Sequence, residues 1–384
     1  MTAEMNFIPA EAFPPGELVR EELAERGWTQ ADLAEILGVS ERLVSEVVGG
    51  KRGISAGTAQ GLAAAFGTSA QFWLNLESSY RLYREAQSGT RMESVSRRAR
   101  LFSIAPVNEM LKRGWLPPSS NIEVLERHFC EFFEISNIDE TPTFVPHAAK
   151  KSGSYEAVSS SLMTWLHRAR QLANASVPTG TFKADSVARI VAKLGGLLQA
   201  AIETRNVARI LSDHGIRFVI AEPISKTKLD GVTFWLDAKS PVIAMTLRYD
   251  RIDSFWFTLL HELGHVDARD GQADRLPIVD DLDLLRKPDD LPESERRAHA
   301  FASATLVPAD ELTDFVARTR PLYSKVRIDN FAKRIKVHPG IVVGQLHHRH
   351  EFDWSYHRAF LVKVREHVVG TTLTDGWGFA PLAL

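Results

Sequence analysis

The sequence predicts a mainly α protein with a small β-sheet, an α+β chain built from two or three domains. Three observations carry that expectation. The chain has 384 residues, more than one hydrophobic core usually serves. Residues 15–85 fall into five short blocks with helical apolar spacing, punctuated by glycines and capping residues. After Gly215 the pattern switches to three short runs, IRFVIAEPI, GVTFWLDA and PVIAMTL, separated by turn residues, which read as strands. Apolar content of 44% and charged content of 24% are ordinary for a soluble globular chain.

The elements follow in order. Pro14 and Pro15 precede the first helix and Gly27 ends it. Thr29 is a candidate N-cap with Asp32 three residues on, in the manner of a capping box. Leu33, Ile36 and Leu37 then keep helical spacing until Gly38. Ser40 can cap the third helix, which Gly49 and Gly50 end. On that pattern Val39, Leu43, Val44 and Val47 face the core. Two more helices are expected near 55–66 and 69–85. This gives a tail at 1–14, a five-helix bundle at 15–85 and a basic connector at 86–120 that ends in GWLPPSS. A helical middle region at 121–205 carries loops near TPTFVPHAAKKSGS and ANASVPTGTF and no functional signal. The strands open an α+β domain at 206–350, and 351–384 form a C-terminal extension. In that domain a helix is expected over 251–267, then the charged loop DDLDLLRKPDDLPES, then a helix over 293–306. FAKRIKVHPGIVVGQL at 331–346 repeats the apolar register of LAEILGVSERLVSEVV at 33–48, which reads as a shared way of packing two helices.

Cys130 is the single cysteine, so no internal disulfide forms and a reducing, cytoplasmic compartment is expected. The start MTAEMNFIPAEAF has neither a basic nor an apolar signal region, and no apolar run approaches a membrane span. The net charge of −2 is unevenly spread. Residues 1–85 hold seven Lys/Arg against twelve Asp/Glu, while 91–113 hold Arg91, Arg97, Arg98, Arg100, Lys112 and Arg113 against two Glu.

The strongest chemical signal is HELGH. His261 and His265, four residues apart, project from one helix face and can take two corners of a zinc tetrahedron. Glu262 stands beside them, where a carboxylate can accept a proton from metal-bound water. Phe255, Trp256, Phe257, Leu259 and Leu260 precede the motif, so the helix should be buried. A third protein ligand is needed, and ESERRAHAFASATLVP supplies candidates. Glu295 is the choice, with Glu293 the fallback; His299 could orient a ligand from outside or bind the metal itself. Tyr249 is a weak candidate for stabilising an oxyanion, and HHRH at 347–350 reads as a surface cluster.

Taken together, the strands, HELGH, the stretch ERRAHAFASATLVP and PGIVVGQL resemble the ImmA/IrrE family of zinc metallopeptidases across roughly 200–350. The resemblance implies a zincin-like fold, one Zn2+ per chain, His261, His265 and Glu295 as ligands, and Glu262 as general base. The family usually has Asn or Asp where this chain has His299.

The second and third helices have the form of a helix-turn-helix. Gln30 would face a phosphate, and Ser40, Glu41, Arg42 and Ser45 would enter the major groove, with Lys51 and Arg52 clustered nearby. GELVREELAERGWTQADLAEILGVS, GKRGIS and LAAAFGTSAQFWLNLESSYRLY resemble the HigA branch of Cro/C1-type regulators. That resemblance implies a homodimer through the N-terminal half, bound to palindromic double-stranded operator DNA, often in a toxin–antitoxin setting. Fused to the peptidase resemblance, it implies a DNA-binding regulator whose endopeptidase cleaves a partner repressor or the chain itself. The alternative is a HigA-type antitoxin whose metal domain senses or scaffolds without catalysis.

Overall fold

The computed structural model describes residues 13–87, 90–144, 159–225, 227–281 and 291–377. The tail at 1–12, most of the loop expected after residue 142, and the charged loop at 282–290 lie outside the described residues. The chain divides into two compact units, 1–99 and 100–384.

The first unit is helical: α1 (Pro15–Arg26), α2 (Gln30–Leu37), α3 (Glu41–Val48), α4 (Ala56–Phe66) and α5 (Ala70–Gln87). Local chemistry sets these limits. Thr29 and Asp32 form a reciprocal capping box at the start of α2. Gly38, with φ of 65°, closes that helix in the left-handed region that a side chain would strain. The Ser40 hydroxyl accepts from the Leu43 amide and caps α3, which starts at Glu41. Val19, Leu23, Leu33, Val44, Val47, Leu62 and Trp73 form the core. One expectation fails here. Val39 is 37% exposed, because it lies in the turn between α2 and α3, outside the period that buries Val44 and Val47.

A sixth helix, α6 (Thr90–Ile104), runs across the division between the units. The stretch expected as a connector is thus largely helical, and Leu101 and Ala105 are buried in the second unit's core. The second unit continues with α7 (Val107–Lys112), α8 (Ile122–Phe133), α9 (Ser160–Ala175), α10 (Ser186–Gly195) and α11 (Val207–Ser212). The strands are β1 (Arg217–Ile220), β2 (Leu229–Trp235), β3 (Pro241–Met245) and β4 (Ile278–Asp281), with α12 (Ile252–Ala268) between the last two. Then come α13 (Glu293–Leu306), α14 (Ala309–Thr319), α15 (Lys325–Arg334), α16 (Pro339–His348), α17 (Arg365–Val369) and β5 (Leu373–Thr374).

The sheet has the order β4-β2-β3-β1-β5. β1 pairs in parallel with β3 and β5, and β2 runs antiparallel to both its neighbours. The segment expected as an extension from residue 351 therefore returns a strand, β5, to the sheet.

Side chains alternate across the strands, and both faces are covered. Phe218, Ile220, Trp235, Ile243 and Met245 join the core that holds α12, α13 and α16. Val219, Ala221, Val232, Phe234, Val242 and Ala244 join a separate core with α8 and α9. The middle region therefore roofs the sheet's second face, while α12 lies on the first.

The second core should be sensitive and the turn in the head tolerant. Phe234 is fully buried and meets Phe144 edge-on at 5.2 Å. Phe234→Ala should cost about 3–5 kcal/mol. Val39→Ala should stay within about 0.5 kcal/mol. Denaturant midpoints followed by near-ultraviolet circular dichroism check both.

Candidate functional site

Helix α12 is buried on nearly every side, which is why its apolar residues are not confined to one stripe. It packs against the sheet, α13 and α16. Close approach to two of these depends on glycine. A Cβ on Gly264 would stand 3.1 Å from the Ala298 backbone of α13, and one on Gly344 would stand 2.6 Å from Asp253 of α12. The small pair Gly264 and Ala298 brings the N-terminal turn of α13, with Glu295, against the motif on α12.

The result is a tight cluster. His265 Nε2 lies 3.1 Å from His261 Nε2, His261 Nε2 lies 3.2 Å from Glu295 Oε2, and His265 Nε2 lies 3.5 Å from Glu295 Oε1. All three ligand atoms fall within 4.8 Å of one another. Ligands about 2.0–2.1 Å from a tetrahedral zinc stand roughly 3.3 Å apart, so this donor set fits that ion without rearrangement. Three acceptors that converge at such distances repel one another unless a cation or a shared proton lies among them. Both histidines are buried and the Glu295 side chain is mostly so. Of the other candidates, His299 meets the His261 ring edge-on at 5.2 Å and Phe257 at 5.0 Å. Glu293 begins α13.

Glu262 is fully buried against β2. The Thr233 hydroxyl donates to its Oε2 at 2.7 Å, and a Cβ on Gly231 would come within 2.3 Å of its Oε1. Gly231, Thr233 and Trp235 alternate onto the α12 face of β2, so one strand cradles the carboxylate. Sequence reasoning missed Gly231 and Thr233. It also missed Asp270, whose Oδ2 accepts from His265 Nδ1 at 2.8 Å. That bond leaves the His265 Nε2 lone pair directed at His261 and Glu295. The only hint was an acidic residue one turn beyond the motif, in VDARDG.

Two further expectations meet the structure here. Tyr249 is 44% exposed, with the Arg248 and Arg251 guanidinium groups 4.9 and 5.6 Å from its ring centroid. HHRH is not a surface cluster throughout: His347 is fully buried, its Nε2 3.1 Å from the Tyr356 carbonyl. As part of the inward face of α16 it stacks on Trp354, and burial pushes its pKa below the usual histidine value.

In the first unit, Gln30, Ser40, Glu41, Arg42, Ser45, Lys51 and Arg52 are all exposed. Ser40 spends its hydroxyl on the cap of α3. Glu46, an acidic residue on the same helix that counts against DNA binding, accepts from Arg42 at 2.8 Å and from Arg52 at 3.3 Å. The Arg42 hydrogen bond holds its carboxyl below the usual range.

Comparison with known proteins fits this division. The helix-turn-helix family matches residues 19–73, and the IrrE N-terminal-like domain matches residues 211–349. Virulence-associated protein I of Dichelobacter nodosus is 44% identical over 81 residues, which is 21% of this chain and 73% of that protein. Virulence-associated protein A' of the same organism is 41% identical over 69 residues, 18% of this chain and 60% of that protein. A solved structure titled Pseudomonas aeruginosa antitoxin HigA with higBA promoter is 44% identical, covering 22% of this chain and 92% of that one, with a TM-score of 0.21. The chain thus belongs to the Cro/C1-type helix-turn-helix family and joins to that head an ImmA/IrrE-type metallopeptidase-like domain.

Proposed function

We propose that this chain is a DNA-binding regulator whose second unit is a zinc-dependent endopeptidase, acting on a repressor-type protein or on the chain itself. The observation that supports it best is the convergence of His261, His265 and Glu295 at tetrahedral spacing, with Glu262 next to His261 in the chain and its carboxylate held against β2. Zinc bound there would lower the pKa of a coordinated water toward about 7 and polarise a peptide carbonyl. The chain's own residues do the rest. His261, His265 and Glu295 would hold the ion. Glu262 takes the proton from the attacking water and returns it to the leaving amine. Thr233 fixes one carboxylate oxygen of Glu262, and Gly231 leaves the space that the other occupies. Burial in a low-dielectric wall strengthens each of these contacts.

The head is proposed to read double-stranded operator DNA as a homodimer, with the exposed face of α3 in the major groove and Gln30, Lys51 and Arg52 on phosphates. Among the described residues no helix is long and apolar enough to cross a membrane. For self-cleavage, the helices over 90–104 and 107–112 would have to open locally, since an extended segment is what a peptidase grips.

Removing the proton carrier separates the two functions. Glu262→Gln should retain about one zinc per chain and lose cleavage by roughly 10²–10⁴-fold. Zinc analysis together with a cleavage assay on full-length protein and on a Cro/C1-type repressor reads both. A chain whose regulatory behaviour ignores this substitution is instead an antitoxin or repressor with a scaffolding metal domain.

Gly231→Ala should act through the same carboxylate. It should leave zinc content intact and depress cleavage, because its methyl group displaces the Glu262 side chain. Equal turnover by this variant and wild type would remove β2 from the mechanism.

Glu46 should compete with DNA phosphate for Arg42 and Arg52. Glu46→Gln should tighten non-specific binding and steepen its salt dependence, whereas Arg42→Ala should weaken operator binding by about 1–3 kcal/mol. Fluorescence anisotropy between about 50 and 200 mM salt checks both signs.

A further inference from the structure

We propose that Asp270 and Arg297 are a positioning pair for the metal centre, tuning how tightly the ion is held rather than taking part in the chemistry. The inference rests on the reading of His261, His265 and Glu295 as ligands.

Four contacts converge on Asp270. Its Oδ2 accepts from His265 Nδ1 at 2.8 Å. Its two carboxylate oxygens lie 2.7 and 2.9 Å from one Arg297 nitrogen. Its backbone amide donates to the His265 carbonyl at 3.0 Å, and its carbonyl accepts from the Trp235 indole at 2.9 Å. Arg269 makes this possible. It ends α12 with φ of 60°, a left-handed conformation unfavourable for a side-chain-bearing residue, and turns Asp270 back beneath the histidine.

The arrangement does two things. The carboxylate keeps the proton on Nδ1, so His265 presents Nε2 as an acceptor in a fixed ring orientation. Arg297 lies two residues after Glu295 on α13, so one helix supplies a carboxylate to the inside of the centre and a cation to the outside. The Asp270–Arg297 ion pair thereby links the helix of the third ligand to the helix of the first two. Arg297 is half-exposed, and a solvent-facing pair contributes little to global stability. Its consequence should appear in geometry at the centre, not in the folding of the unit.

The test measures zinc affinity of the full chain by competition with a chromogenic chelator, alongside the thermal midpoint of the metal-free protein. Asp270→Ala should weaken zinc binding roughly 10–100-fold. Arg297→Gln should produce a smaller loss in the same direction. Because Arg297 is proposed to act through Asp270, the double variant should bind zinc no worse than Asp270→Ala alone. Metal-free midpoints should match wild type. Wild-type affinity in Asp270→Ala, or additive losses in the double variant, would overturn the pair while leaving the metal centre standing. A wild-type chain that holds no zinc would overturn both. Should Asp270→Ala fold poorly, the surface substitution Arg297→Gln decides alone: unchanged affinity rejects the proposal.

Discussion

Burial of ionisable groups on α12 is the constraint that organises the second unit. His261, Glu262 and His265 have almost no contact with solvent. Polar groups in such a place cost several kcal/mol each unless they meet partners. Their partners come from elements far apart in the chain: Thr233 from β2 for Glu262, Glu295 from α13 for both rings, and Asp270 from the turn after α12 for His265. The packing between them serves this purpose. Gly231 leaves room for a carboxylate, and Gly264 lets α13 approach closely enough for Glu295 to reach across.

This explains the layers. A strand that must cradle a buried carboxylate on one face cannot leave the other face wet, because β1 and β3 are apolar on both sides. The helical middle region supplies the missing cover through Phe129, Phe133, Trp165 and Leu166. Trp165 also donates its indole N–H to the Ala221 carbonyl, just beyond β1, so the roof is hydrogen-bonded to the sheet as well as packed on it. A region with no chemical motif is thus part of what keeps the centre dry.

Features written in local period or local spacing were legible. Helices α1 to α5 carry their caps within four residues, and strands β1 to β3 their apolar runs within eight. The i, i+4 histidines and the glutamate 30 residues on could be singled out because the spacing itself carries chemistry. Thr233 and Gly231 could not, since they meet Glu262 across 29 and 31 residues and look like ordinary strand residues. Arg297 read as a surface charge in ERR, because its partner Asp270 lies 27 residues away. β5 is only two residues long and owes its existence to pairing with β1, more than 150 residues earlier. Val39 was misplaced because it sits in the turn before α3, outside the helical period, and His347 because a run of polar residues looks exposed although α16 turns this one inward.

The head raises a different question, because an acidic segment is an unusual place for a DNA-reading face. Net charge is a poor guide to the field at one surface, since the Debye length at physiological salt is about 8 Å. What matters is the local set. There, Glu46 accepts from both Arg42 and Arg52, and the Arg42 hydrogen bond lowers its pKa. The free head therefore offers DNA two arginines already engaged, which lowers the sequence-independent attraction that phosphates supply to most readers. The Arg42 side chain is largely exposed, so this pair costs little to break and acts on the general attraction to phosphate rather than on the choice of base.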